Sequence, residues 1–332
     1  MEKKILITLA TGKTGYETAL QLLEEGYPVK IMVRSRNQKA LELEKSGAEI
    51  AIGEFNNYGQ IKNALLDVSR VYYCYPIKKG MAEDVAVFIQ AAKEMKTEAV
   101  VFMGQWLAEF ENQQSFQTKS IQQSYKLLEQ SGLNVVYLIP GYFAENNIGV
   151  LLEFAVQLGI LASPFGNGKN PVPSNEDLAA CIAALLKNPQ PYYGQRLRPT
   201  GSKSLSVKEM ADIITKVTGK KIRIINSPEW MFLKAAFSMK DDYGYDAFTI
   251  AQAIHYNREY QQNKFDIGGA TNIVKQLTGN DPEDFETIIR RFIETSSYGM
   301  PNRTGWFKAL IKFMKIPFQK VPSIKELDRL NK

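Results

Sequence analysis

Between residues 5 and 141, short β-branched or aromatic runs alternate with segments of helical period, and this alternation limits the fold more than any other feature. The runs are ILITL, VKIMVR, EIAIGEF, RVYYCYP, AVVFMG and NVVYLIPG. Between them lie stretches such as TALQLLEEG, QIKNALLDV, DVAVFIQAAKEM and KSIQQSYKLLEQSG, several closed by glycine as a helix stop. The strands read as nearly continuous apolar runs, as they do in a parallel sheet covered on both faces. Six βα units of this kind predict an α/β fold with a doubly wound parallel sheet.

Past Gly141 the rhythm changes. Helical segments (GVLLEFAVQLG, EDLAACIAALLKN, SVKEMADIITKVTG, EDFETIIRRFIE) are separated by loops and by the brief strands RLRPTG and KIRIINS. That pattern predicts a smaller, mostly helical C-terminal lobe. With 332 residues the chain exceeds ordinary single-domain length. The expected division is a nucleotide-binding domain over residues 1–147, with residues 175–201 returning to it, a substrate lobe over 148–300 and a terminal segment over 301–332.

Charge argues against a nucleic-acid role. The net charge is +6, but residues 301–332 carry eight Lys/Arg against two Asp/Glu, and the rest holds 33 of each sign. A neutral body offers no basic groove. Cys74 and Cys181 lie in apolar runs, which reads as two separate buried thiols in a reducing compartment. Neither an export signal nor an apolar stretch of about 18 residues is apparent, so the expected location is cytoplasmic.

The stretch TLATGKTG follows the first strand and opens a helix. In such a turn one glycine permits tight bending, a second lets backbone amides approach a pyrophosphate, and a third lets the helix pack on its strand. Gly12 and Gly15 suit the second and third tasks, with Thr11, Lys13 and Thr14 beside them. Leu9 stands where the first glycine is usual. With VRSR, SGAEIAIGEF, SFQTKSIQQ, LIPGYFAEN and SLSVKEMADIITKVTGK, the turn makes the chain resemble the NmrA-like branch of atypical short-chain dehydrogenase/reductases. The resemblance implies a Rossmann sheet binding NADP(H), and it thins after about residue 230.

Arg34 ends the second strand, where a carboxylate would accept from the ribose 2′-hydroxyl of NAD(H); a guanidinium there suits a 2′-phosphate instead. Lys13 can add a second cation. The alternative reading is two ordinary surface cations. Alignment with the family places Phe55 and Asn56 beside the adenine, and Tyr75 and Pro76 beside the bridging phosphates and ribose. Each also fits a core residue at a strand end.

Short-chain dehydrogenases commonly pair Tyr and Lys one helical turn apart. The fifth helix instead reads Ser115-Phe116-Gln117-Thr118-Lys119, so the resemblance leaves Lys119 as the candidate for the nicotinamide ribose and for proton relay. The usual serine pair is replaced by Met103-Gly104-Gln105-Trp106. Gln105 and Trp106 are candidate substrate contacts, with a core role the alternative for the tryptophan. Tyr142, a candidate proton donor, lies with Phe143 and Asn146 after the sixth strand, at the carboxyl edge where such folds bind ligands. His255, the only histidine, has no ligand cluster around it, so no metal site is expected.

In TGWFKALIKFMKIPF the lysines fall on one helical stripe and apolar residues cover the remainder. Packing on the lobe, self-association as a homodimer through residues 304–318, and peripheral membrane contact all fit that pattern. Two functions are expected: an NADPH-dependent oxidoreductase acting on a small, largely apolar carbonyl, imine or quinone, or a non-catalytic NADP(H)-binding redox sensor that docks a protein partner.

Overall fold

The computed structural model describes residues 3–329. In the first half, β1 (Lys4–Thr8), α1 (Lys13–Glu24), β2 (Val29–Val33), α2 (Gln38–Lys45), β3 (Glu49–Ile52), α3 (Tyr58–Ala64), β4 (Val68–Tyr73), α4 (Met81–Glu94), β5 (Ala99–Met103), α5 (Phe116–Ser131) and β6 (Val135–Leu138) alternate as the sequence predicts. There follow α6 (Ala144–Leu158), β7 (Ile160–Ser163), β8 (Lys169–Asn170), α7 (Asn175–Lys187), β9 (Arg196–Leu197), β10 (Leu205–Ser206), α8 (Val207–Thr218) and β11 (Arg223–Asn226). The remaining chain is helical: α9 (Glu229–Ser238), α10 (Lys240–Tyr243), α11 (Ala247–Gln261), α12 (Ile273–Thr278), α13 (Phe285–Thr295), α14 (Arg303–Lys315) and α15 (Ile324–Arg329).

The central sheet has seven parallel strands in the order β3-β2-β1-β4-β5-β6-β9. Strand order reverses between β1 and β4, and in doubly wound sheets the crevice beyond the carboxyl ends at that point binds ligands. The strands are buried on both faces, which is why they read as apolar runs: Ile5, Ile7 and Ile31 belong to one core and Leu6, Val71 and Val100 to the other. The segment RLRPTG, within the 175–201 stretch expected to return to the first domain, supplies β9 and pairs with β6 at the edge of the main sheet. α7 packs against α1 on one face.

Two minor pairings shape the other half. β11 lies parallel to β7, and β10 antiparallel to β8. Around them Leu152, Leu161, Met210, Ile214 and Ile289 form a third core, distinct from the two that sandwich the sheet.

Candidate functional site

The turn after β1 is built on Leu9, which adopts a left-handed backbone with φ +49°. A Cβ makes that region costly, which is why glycine is usual there. The leucine is nonetheless accommodated: its carbonyl accepts from the Gly12 amide at 2.9 Å and closes the turn. The same carbonyl explains the two glycines that remain. A Cβ would stand 2.6 Å from it on Gly15, which excludes a side chain there, and 3.0 Å from it on Gly12, where the turn would have to give by a few tenths of an ångström.

Gly12 caps α1 without a side-chain hydrogen bond, and the first turn of that helix carries no acidic residue. A helix N-terminus with no acidic residue in its first turn is an arrangement that attracts a phosphate. The Thr14 hydroxyl lies beneath the turn, 2.9 Å from the Tyr72 hydroxyl. Thr8 fastens the two strands at the switch point: its hydroxyl lies 3.0 Å from the Cys74 carbonyl oxygen and accepts from the Cys74 amide at 2.9 Å.

Positive charge gathers beside this turn. Arg34 is exposed at the end of β2, and no described residue pairs with it. Lys39, on α2, lies 4.9 Å from the centre of the Tyr16 ring. The surrounding protein holds the Lys13 ammonium below the ordinary lysine range; Glu145 opposes that shift and repulsion from Lys39 adds to it. Sequence reasoning missed Lys39, although a lysine in the first turn of the helix after Arg34 is a signal within reach. Among the described residues no group of three or more His, Cys, Asp or Glu is placed to hold a metal ion.

Phe55 is buried edge-on against Tyr73 and Tyr75, with ring centres 5.5 and 5.0 Å away. The Tyr75 hydroxyl donates to Asp84 at 2.7 Å, and the Lys78 ammonium lies 5.1 Å from the Tyr75 ring centre. Asn56 is exposed and Pro76 half-buried on the same rim.

Beyond the carboxyl ends of β4, β5 and β6 lies a cavity of about 290 Å³. Cys74 and Tyr75 form one side, Gln105 and Gly141 to Phe143 the floor, and residues from α9 and α11 the roof. Burial pushes the Cys74 thiol up to about 11 and raises the Tyr142 hydroxyl well above the ordinary phenol range, so both are protonated at neutral pH. Gln105 is oriented by the Thr118 hydroxyl, which donates to its Oε1 at 2.8 Å. Tyr245, Thr249 and Tyr256 also face the cavity. They went unnoticed in the sequence because only tertiary packing brings α11 over the sheet.

The structure brings Tyr75, Gln105, Tyr142 and Phe143 together around this cavity, and it sets two expected residues apart. Lys119 is exposed on α5 and is not among the cavity walls, which take Gln117 and Ile121 from that helix. Trp106 is also absent from them: its Nε1 donates to the Lys264 carbonyl at 3.0 Å and the Arg198 guanidinium stacks 3.9 Å from its ring centre. The tryptophan thus ties β5 to the lobe, the core role left open by the sequence. The Asn146 side chain lies outside the described ones.

Glu145, next to Phe143 in the first turn of α6, is buried; its Oε1 accepts from the Asn175 amide at 3.1 Å while its Oε2 has no partner. Burial raises its carboxyl to about 7. His255 is buried on α11, with Nε2 3.6 Å from Asp328 on α15, and burial lowers its pKa. It is not among the cavity walls.

The terminal segment folds back on the lobe. α14 packs on α6, with Ala309 fully buried and Phe313 edge-on to Phe154 at 5.5 Å. Lys312 pairs with Glu153 at 3.0 Å. The Gln157 amide group donates to the carbonyls of Tyr298, Gly299 and Met300. Trp306, Phe307, Ile311 and Met314 stay exposed on the opposite side of α14. Among the described residues no helix is long and apolar enough to cross a membrane.

The model of the NmrA-like family matches residues 1–287. The chain belongs to the NmrA-like family. It is 24% identical over 297 residues to prestalk A differentiation protein A of Dictyostelium discoideum, covering 88% of this chain and 93% of that one. To an uncharacterised oxidoreductase, YesF, of Bacillus subtilis it is 25% identical over 285 residues, covering 85% and 92%. Among solved structures it is similar to the NADPH-dependent quinone oxidoreductase QOR2 of Escherichia coli complexed with NADPH, with TM-score 0.73 and 20% identity over 86% of this chain and 99% of that one. At that identity the likeness is one of fold.

Proposed function

We propose that this NmrA-like protein is an NADPH-dependent reductase of small, largely apolar acceptors, quinones foremost. The observation that carries this reading is the placement of the apolar cavity of about 290 Å³, which opens beyond β4, β5 and β6 beside a phosphate-ready turn at the switch point of the sheet. The names of YesF as an oxidoreductase and of QOR2 as an NADPH-dependent quinone oxidoreductase point the same way.

The residues fit the cofactor. Gly12 and Gly15 leave room for a pyrophosphate where a Cβ would collide with Leu9, and the α1 amides can donate to it. Arg34, Lys13 and Lys39 supply positive charge for a 2′-phosphate, with Arg34 able to pair two of its oxygens. Phe55 and Tyr75 offer an aromatic flank on the adenine and ribose side, with Thr11, Asn56 and Pro76 on the rim.

When bound, NADPH supplies a hydride; with one proton, this converts a quinone to a hydroquinone and leaves NADP⁺. The protein's share is positioning and charge stabilisation. Gln105, fixed by Thr118, can hold an acceptor oxygen through its amide N–H, and the neutral Tyr142 hydroxyl can donate a hydrogen bond to the oxygen that gains charge, the transferred proton coming from water. Phe143 closes the wall behind the acceptor. Because burial protonates Tyr142 and Cys74 at neutral pH, the cavity holds no thiolate or phenolate to compete with the hydride for the acceptor. No role falls to Lys119 or Trp106 here.

The test is a titration with NADPH and NADH, followed by NADPH oxidation, read as loss of the reduced nicotinamide absorbance, with benzoquinones and naphthoquinones. Binding with turnover supports the reading. Binding of NADPH without turnover of any acceptor overturns it in favour of a redox-sensing regulator.

A further inference from the structure

A second cavity, of about 190 Å³, lies behind the first. Leu151 of α6 and Phe232 of α9 line both, so these two side chains form the partition between them. Ser227 is the one hydroxyl-bearing residue in its lining; the other walls are apolar or aromatic. Trp230 and Pro317, both exposed, mark where it meets solvent.

Protein interiors are close-packed, and a persistent apolar void of this size is a feature to explain. An apolar cavity on the order of 150 Å³ stays dry and takes up hydrocarbon. The far wall, Phe313, Ile316 and Pro317, comes from α14 and the turn after it. Those residues lie past residue 287, where the match to the family model ends. The chain therefore adds, beyond the family's common part, a wall that encloses hydrocarbon-lined space next to the proposed reduction site.

We infer that the substrate is an amphiphile whose reducible head occupies the first cavity and whose hydrocarbon chain crosses the Leu151 and Phe232 partition into the second. This rests on the reductase reading. The chain gains nothing from hydrogen bonds in such a lining; its affinity comes from leaving water, about fourfold per methylene buried.

The experiment measures NADPH oxidation with a homologous series of alkyl-1,4-benzoquinones, from methyl to decyl, for the native chain and for Ala235→Leu and Ala162→Leu. Both alanines line only the second cavity, and either leucine fills part of it. Thermal unfolding and NADPH affinity establish that each variant is folded. The expected result is a kcat/KM that climbs with chain length in the native protein, by severalfold per methylene once the head cavity is full. The variants lose that climb and keep the native rate with the methyl homologue. A rate independent of chain length, or a climb that persists in both variants, overturns the inference and leaves the reductase reading standing.

If no homologue is reduced, the reductase reading is what fails, and binding decides the cavity. Emission changes of Trp230 with 1-butanol and 1-decanol, assigned by their loss in Trp230→Phe, are then compared with those in Ala235→Leu. Selective response to decanol, weakened by the leucine, supports a chain site; equal response to both alcohols overturns it.

Discussion

The carbonyl oxygen of Leu9 lies 2.6 Å from the point a Cβ on Gly15 would occupy. Gly15→Ala must therefore break the turn. The expected loss is roughly 2 kcal/mol or more of stability together with NADPH affinity. Leu9→Gly removes a left-handed strain of about 1–2 kcal/mol and adds back about 0.5–1 kcal/mol of chain entropy. It should be neutral to slightly stabilising, while Leu9→Val, β-branched at positive φ, should be destabilising. Chemical denaturation of the three variants checks this.

Arg34 and Lys39 should set the nucleotide preference. A hydrogen bond to a charged group contributes about 1.5–3 kcal/mol, so Arg34→Ala should weaken NADPH by roughly 10- to 100-fold and leave NADH almost unchanged. Lys39→Ala should produce a smaller loss that shrinks as salt is raised. Isothermal titration with both nucleotides at two ionic strengths separates these effects.

The buried carboxyl of Glu145, raised to about 7 by burial, makes stability depend on pH. Between its unfolded value of 4.5 and 7 the folded state binds the extra proton, so unfolding free energy falls as pH rises through this window and levels off above it. Asp177, raised to about 6, adds to the same slope from about pH 4 upward. Glu145→Gln should be more stable than the native chain by about 3 kcal/mol at pH 8 and near parity at pH 4. Urea midpoints across pH 4–8 test the sign.

Tyr142 and Lys119 should behave oppositely. Tyr142→Phe removes a hydrogen-bond donor from the cavity floor and should lower kcat by about 10²-fold with NADPH affinity intact. Lys119→Ala, on an exposed position of α5, should leave both within about twofold. The reverse outcome would return the proton relay to the fifth helix.

Periodicity made the six βα units legible: strands buried on both faces leave unbroken apolar runs, and glycine stops mark helix ends. It did not reveal which strand RLRPTG pairs with, because pairing with β6 depends on the chain's path through α7 rather than on two residues of local pattern. The glycine turn and the residue ending β2 were readable because they are local. The walls of the cavity were not. Tyr245 from the loop before α11 and Thr249 and Tyr256 on that helix reach the cavity by packing over the sheet, and Trp106 spends its indole N–H on Lys264, a partner far along the chain. Nothing near Lys119 in sequence shows which way its helix is turned; the burial of Gln117, Thr118 and Ile121 does.

The seven-stranded sheet ends in strands that invite no neighbour. β9 is two residues long, and Arg196 within it is held by Glu109 and Glu129. β3, at the other edge, has four residues and begins at Glu49, which pairs with Lys4 and Lys30. Short edges studded with charge are how natural sheets avoid sheet-to-sheet growth. The edges of this sheet thus offer no template for growth, while the uncovered side of α14, with Phe307 and Met314 outermost, leaves apolar surface in water.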